Sequence, residues 1–193
     1  MTLGKTRRDA AVEAAMDLFW RRGADRATYP EIVSATGLNR KRLYALWPEK
    51  DALVLDTLRH YRAQVLQAGL DRLSPPGAAP LLAFWDRLEA ETRGRDWAGC
   101  FLMSTAAGPY GRLPAVRKLR DEWLDQLAES LTTAILAAVR DLPRSRVLDP
   151  GAAAWQAVAL WALIAELGPD SGYDARIAGL LRAGRLACGL PPG

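Results

Sequence analysis

The sequence predicts an all-α protein of about nine helices. Apolar residues recur at the i, i+3, i+4, i+7 spacing of a helix face through most segments, and no convincing run alternates as a strand would. Glycine and proline clusters cut the chain at helix-length intervals. There is no internal repeat and no low-complexity tract.

The first helix runs from about Lys5 to Arg22 with Val12, Ala15, Met16 and Phe19 on one buried face, and Gly23 stops it. Thr28 and Pro30, a capping residue and a proline suited to a first turn, open a short helix through Glu31, Ile32, Ala35 and Thr36. Gly37 supplies a left-handed turn, and Asn39 caps a second short helix that begins Arg40, Lys41, Arg42 and carries apolar Leu43, Leu46 and Trp47. Two short helices hinged at a glycine are the layout of a DNA-reading helix-turn-helix. A helix N-terminus prefers anions, so three cations in that turn point to negative charge supplied by a partner, and phosphate fits.

Pro48 and Glu49 open a long helix from about Lys50 to Leu73, with Val54, Leu58, Tyr61 and Val65 on one face, and Pro75, Pro76, Gly77 and Pro80 break it. Helices follow at about Leu81 to Thr92, Cys100 to Ala107, and Pro114 to Arg140, the last with a stripe of Val116, Leu119, Trp123, Leu127, Leu131 and Ala134 and closed by Pro143. The final two run from about Gly151 to Leu167 and Tyr173 to Cys188. The stretch Gly151 to Ala165 is apolar almost all round, so one subunit would leave a stripe of it wet and a second subunit would cover it. A four-helix interface is expected from Trp155, Val158, Ala159 and Ala162 with Ile177, Leu180, Leu181 and Gly184, the glycine admitting a close partner helix. A deeply buried monomer core would give the same composition.

Charge is unevenly placed. Of 26 basic and 22 acidic residues, residues 1–50 hold ten and six, and the remaining 143 residues hold sixteen of each. The basic excess therefore sits on the helix-turn-helix segment, as nucleic-acid contact requires. Cys100 and Cys188 are too few for a secreted disulfide framework, no apolar core follows the charged N-terminus, and the 15-residue run Gly151 to Ala165 is too short to span a bilayer. A cytoplasmic protein is expected.

Arg7 through Leu55 resembles the N-terminal domain of the tetracycline-repressor (TetR) family. The resemblance lies in Ala14 to Phe19 followed by Gly23, then Ala27-Thr28, Glu31-Ile32, Thr36-Gly37-Leu38, Leu43-Tyr44, Trp47-Pro48, Lys50 and Ala52-Leu53. It implies an all-helical homodimer whose residues 1–48 bind a double-stranded operator and whose residues 49–193 bind a small-molecule effector and dimerise. In such a protein Tyr44 and Lys50 fall where backbone phosphate is contacted and Thr28 caps the second helix. Tyr29, Asn39, Arg40, Lys41 and Arg42 complete the candidate DNA-binding set. Three positions depart from the family pattern, in which Lys41 is usually Gly or small, Arg42 Ser or Thr, and Leu46 His or Tyr. The two cations add positive reach, whereas Leu46 removes a polar phosphate contact.

The implied effector site is a largely apolar cavity between the long helix and the helices at 81–92, 100–107 and 114–140. Candidate lining residues are Phe84, Trp85, Leu88, Cys100, Phe101, Met103, Tyr110, Trp123 and Leu127, with Tyr61 a polar contact, and the expected ligand is neutral or weakly polar. Gly99-Cys100-Phe101 also resembles a helix start in a subset of these regulators that sense electrophiles or oxidants, and the helix dipole would lower the Cys100 thiol pKa. A small buried apolar residue is the stronger reading of that cysteine. No metal, cofactor or enzyme site is expected: His60 stands alone, neither cysteine has a ligand-spaced neighbour, and no phosphate loop or serine elbow occurs. The alternative function is a dimeric ligand-binding or scaffolding protein with weakened DNA binding, for which Leu46 speaks.

Overall fold

A computed structural model describes residues 6–141, 149–167 and 174–192. Lys5, Pro143 and Tyr173, which bound three of the expected helices, lie outside the described residues. Among the described residues there are nine helices and no strand.

Helix α1, Arg7–Arg22, starts at a reciprocal cap in which the Asp9 amide donates to Thr6 Oγ1 and the Thr6 amide to Asp9 Oδ2, both at 3.1 Å. It buries Ala11, Val12, Ala15, Met16 and Phe19. Helices α2, Tyr29–Thr36, and α3, Arg40–Leu46, are separated by Gly37 at φ 65°, a left-handed turn that costs a glycine nothing. Helix α4 runs Lys50–Tyr61, widens into a single π turn at Arg62–Leu66, and resumes at Gln67–Asp71. The π turn changes which residues face inward. An unbroken helix would carry the stripe Val54, Leu58, Tyr61 on to Val65, but Val65 is exposed and Leu66 is buried in its place. The expected continuation to Leu73 stops at Asp71 for the same chain.

The body comprises α5, Ala78–Arg93, α6, Phe101–Ala107, a 3-10 turn at Pro109–Arg112, and α7, Pro114–Asp141, followed by α8, Pro150–Ala165, and α9, Ala175–Ala187. Helix α8 packs between α7 and α9, α9 also lies on α5, and α1 packs on α2 and α4. Gly184 of α9 makes the α5 contact possible. A Cβ there would lie 2.2 Å from Cη2 of Trp85, a fully buried ring. The next residue, Arg185, is buried and donates to Asp86 Oδ1 and Glu89 Oε2, each at 2.8 Å, so an ion-paired clamp sits beside the aromatic seat.

These contacts correct part of the expected interface. The space at Gly184 goes to Trp85 of its own chain, not to a partner helix. Val158, Ile177 and Leu181 are buried inside the subunit, and Ala162 and Leu180 are half-buried. Trp155 and Ala159 point outward. With Leu163 they form a row at fourfold spacing on α8, and Trp155, Leu163, Leu186 of α9 and Leu136 of α7 are each about half exposed or more.

Candidate nucleic-acid interface and internal cavity

The start of α3 is built to display charge. Asn39 Oδ1 accepts from the Arg42 amide at 2.9 Å, fixing the first turn. Leu43 is buried beneath it, while Arg40, Lys41 and Arg42 are exposed. Among the described residues none of the three makes an ion pair. Three unneutralised cations therefore crowd one helix end whose own dipole is positive, an arrangement that an external polyanion would relieve.

Around them the structure holds the flanking candidates in place. Thr28 donates both its amide and its hydroxyl to Glu31 Oε2, at 2.7 and 2.8 Å, and Arg22 reaches Glu31 Oε1 at 2.9 Å. Those Thr28 bonds hold the Glu31 carboxyl below its usual range. Tyr44 is exposed and its ring lies 5.3 Å from that of half-buried Tyr29, whose phenol burial pushes up. Lys50 turns one of its three donors inward, to the Ala27 carbonyl at 2.6 Å, over the Phe19 ring. That bond anchors α4 to the loop before α2, and burial lowers the ammonium pKa. Asp56 ties the head together: it accepts from Trp47 Nε1 at 2.8 Å and from Arg8, whose guanidinium also lies over the Trp47 ring. Leu46 is half-buried and packs on the core.

Above the head lies a cavity of about 520 Å³. Its walls come from α4 (Tyr61, Val65, Leu66, Gly69, Leu70), α5 (Ala83, Phe84, Arg87, Leu88, Glu91), the stretch from Gly94 to Cys100, α7 (Trp123, Leu127) and α8 (Trp161, Ala165). Of the expected lining residues, Tyr61, Phe84, Leu88, Cys100, Trp123 and Leu127 are there. Trp85, Phe101, Met103 and Tyr110 are not: Trp85 fills the space at Gly184, Phe101 packs edge-on to Tyr61 at 5.7 Å, and Met103 and Tyr110 are buried elsewhere in the core. Sequence reading misses Trp20, and it matters most. This residue comes from α1, lines the cavity, packs edge-on to Tyr61 at 5.0 Å, and donates from Nε1 to the Gly99 carbonyl at 3.0 Å. Gly99 itself, at φ 70°, sits where a Cβ would meet the Leu167 carbonyl at 2.4 Å, and the Cys100 amide donates to the Ala165 carbonyl at 2.7 Å. One strip of chain thus joins the end of α8 to the head.

Cys100 precedes α6 as expected, yet its thiol behaves oppositely to the dipole argument. It is buried, and burial pushes the thiol pKa up. The Tyr61 hydroxyl lies against it, and burial raises that phenol well above its usual value. Both groups are neutral at physiological pH. Among the described residues no cluster of three or more potential metal ligands occurs, and no helix is long and apolar enough to cross a membrane.

Comparison with known proteins places these features. Residues 11–57 match the family model described as bacterial regulatory proteins, tetR family. The HTH-type transcriptional repressor ComR of Escherichia coli (strain K12) is 34% identical over 108 residues, 53% of this chain and 47% of that protein, so the match spans about half of the repressor. Among solved structures, a putative transcriptional regulator of the TetR/AcrR family aligns with a TM-score of 0.72 at 16% identity, over 94% of this chain and 98% of the other. A cysteine mutant of the TetR-family regulator CifR, complexed with 26-bp double-strand operator DNA, aligns with a TM-score of 0.67 at 20% identity, over 92% and 95%. The structural likenesses establish the fold, and the proteins matched are described as transcriptional regulators, not enzymes.

Proposed function

We propose that this chain, a member of the TetR family of bacterial regulatory proteins, is a homodimeric repressor that leaves a pseudo-palindromic operator when a small molecule fills the internal cavity. The observation that carries the reading is the double duty of α1. The helix buttresses the α2–α3 unit through its packing on α2, and it closes the cavity with Trp20. A molecule in the cavity therefore touches the element on which the DNA-reading helices rest. The repressor ComR and the operator-bound CifR support the same assignment.

In this proposal Arg40, Lys41 and Arg42 meet the duplex in the major groove, with Tyr29, Tyr44, Thr28 and Lys50 toward the phosphates. The dimer forms across the outward row of Trp155, Ala159 and Leu163 on α8 with Leu186 on α9, which exposes apolar surface beyond what a solitary subunit needs. Two recognition helices then lie about 34 to 36 Å apart, one turn of the double helix. The test is a fluorescence-anisotropy titration of the full-length protein on DNA flanking its own coding region, repeated across a salt series. Sequence-selective binding that weakens with salt is expected. Salt-independent binding, or equal affinity for unrelated duplexes, would overturn the assignment.

A further inference from the structure

Helix α3, which displays the three free cations, is short and lightly held. It buries only Leu43 along its seven residues and, among the described residues, shares no extensive packing with another helix, whereas α1 packs closely on α2 and α4. The Asn39 cap fixes its front end, but that bond is local to the helix and does not set where the helix points. Tyr44 meets Tyr29, and this contact joins α3 only to α2, its companion in the two-helix unit.

The rear end is held differently. The Trp47 amide closes α3 on the Leu43 carbonyl at 2.8 Å, the backbone leaves the helix at φ −137°, and the indole is buried in the core at 3% exposure. There its Nε1 donates to Asp56 Oδ2 of α4 at 2.8 Å. The same oxygen accepts from Arg8 of α1, whose guanidinium lies 5.5 Å from the centre of the Trp47 ring, and Arg59 reaches Oδ1 at 3.4 Å. One half-buried carboxylate thus joins the end of α3 to α1 and α4 together. Apolar burial is non-directional, so it keeps the indole in the core without choosing its orientation. The hydrogen bond chooses, because any other orientation leaves a buried donor unmatched.

We propose that Asp56 is a positioning residue for DNA reading: through Trp47 it sets the angle at which α3 presents Arg40, Lys41 and Arg42, and with it the discrimination of operator from other duplexes. The proposal rests on the reading of α3 as the DNA-reading helix. Hydrogen bonds to base edges weaken steeply with misalignment, whereas phosphate contacts from long flexible cations tolerate it. A loosened α3 therefore loses preference before it loses general affinity for DNA. The test is an anisotropy titration of the full-length protein on DNA flanking its own coding region and on an unrelated duplex of equal length. It is run at a temperature where circular dichroism shows each variant folded. Trp47→Phe keeps a ring and deletes the donor, and Asp56→Ala deletes the acceptor. Each should lower the ratio of the two affinities about threefold to tenfold, and in the double variant the losses should not add. Trp47→Phe alters no charge, so its salt slope should stay that of the wild type. Asp56→Asn keeps an oxygen for the indole and should retain more of the ratio than Asp56→Ala. If Asp56→Ala does not fold, Trp47→Phe decides. Variants that melt earlier yet keep the wild-type ratio overturn the proposal, because Asp56 would then only stabilise the head. A wild-type protein without preference between the two duplexes removes the DNA-reading assignment and the proposal with it, whereas a selective wild type with equally selective variants removes the proposal alone.

Discussion

Gly184→Ala separates the packing seen here from the interface that the sequence suggests, and its magnitude can be worked from the structure. In an open helix interior, replacing glycine with alanine stabilises by about 1 kcal/mol, because the unfolded chain loses freedom and the helix gains a better former. At Gly179 of the same helix a Cβ meets nothing within 4 Å, so Gly179→Ala should show that gain. At Gly184 the same methyl would lie 2.2, 2.5 and 2.7 Å from three atoms of the Trp85 ring, which is fully buried and braced edge-on by Phe84 at 5.4 Å. Overpacking of this kind costs about 1–3 kcal/mol, and three contacts under 3 Å place it toward the upper end. Since the propensity gain is common to both variants, their difference isolates the clash. Urea unfolding at a fixed protein concentration should separate them by about 2–3 kcal/mol, or roughly 4–12 °C in melting temperature. Adding Trp85→Phe, a smaller ring, should recover part of the loss in a double-mutant cycle. If Gly184→Ala instead tracked Gly179→Ala, the seat for Trp85 would be refuted. A Gly184→Ala variant that unfolded normally but failed to dimerise would favour the partner-helix reading.

Further tests address the head, the interface and the thiols. A triple Arg40→Ala, Lys41→Ala, Arg42→Ala variant should lose operator binding, and its salt dependence should flatten by about 0.9 in slope for each phosphate contact removed; normal binding would refute the proposed contact surface. Ala159→Glu or Leu163→Glu changes an exposed position, so sedimentation should show folded monomers with weakened operator affinity; Leu181, at 1% exposure, is unsuitable because a charge there would unfold the subunit. The native protein should react negligibly with a thiol reagent at pH 8 and expose both cysteines on unfolding, and a fast native reaction at Cys100 would revive the sensor idea. The Cys188 thiol is pushed by burial from 9.0 to about 11, so the folded state holds its proton longer than the unfolded chain. Stability is therefore fully present below pH 9 and falls as pH rises to about 11, by about 3 kcal/mol from this group; Cys188→Ala should flatten that part of the pH profile.

The head was the more legible half because its signals are local. A cap at Asn39, a positive-φ glycine at Gly37 and three cations in one helical turn each follow from neighbours in the chain, and the structure shows the cap and the turn directly. The cavity wall was less legible because it depends on tertiary approach. Helix periodicity puts Trp85 and Trp123 on apolar faces alike, yet Gly184, about a hundred residues from the first, decides that Trp85 packs away from the cavity. Periodicity also assumes an unbroken α4, so it could not anticipate the π turn that exchanges Val65 for Leu66. Trp20 escaped for a different reason. It lies beside the buried stripe of α1, and only the folded chain brings it to Gly99, 79 residues away. The thiol of Cys100 reversed direction because desolvation outweighs the dipole of a seven-residue helix.

The junction at Trp20 also sets a scale for regulation. The hydrogen bond from Trp20 to Gly99 is worth about 0.5–1.5 kcal/mol, and the edge-on Trp20–Tyr61 contact about as much again. Their sum, roughly 1–3 kcal/mol per subunit, would shift one head's equilibrium by a factor of about 5 to 150. Driving a two-state protein from 1:99 to 99:1 takes about 5.5 kcal/mol, which one junction does not supply. Two junctions acting together in the proposed dimer supply about 2–6 kcal/mol, reaching that range only at the upper end. Trp20→Phe removes the donor and keeps an aromatic ring, so it should lower the free-energy coupling between cavity ligand and operator by about 1 kcal/mol per subunit, a difference of affinities that stands apart from any change in ligand affinity itself at this wall residue. Anisotropy titrations with and without ligand measure that coupling. An unchanged coupling in Trp20→Phe would mean that the signal leaves the cavity by another wall, and the π turn of α4, which also borders it, would become the element to test.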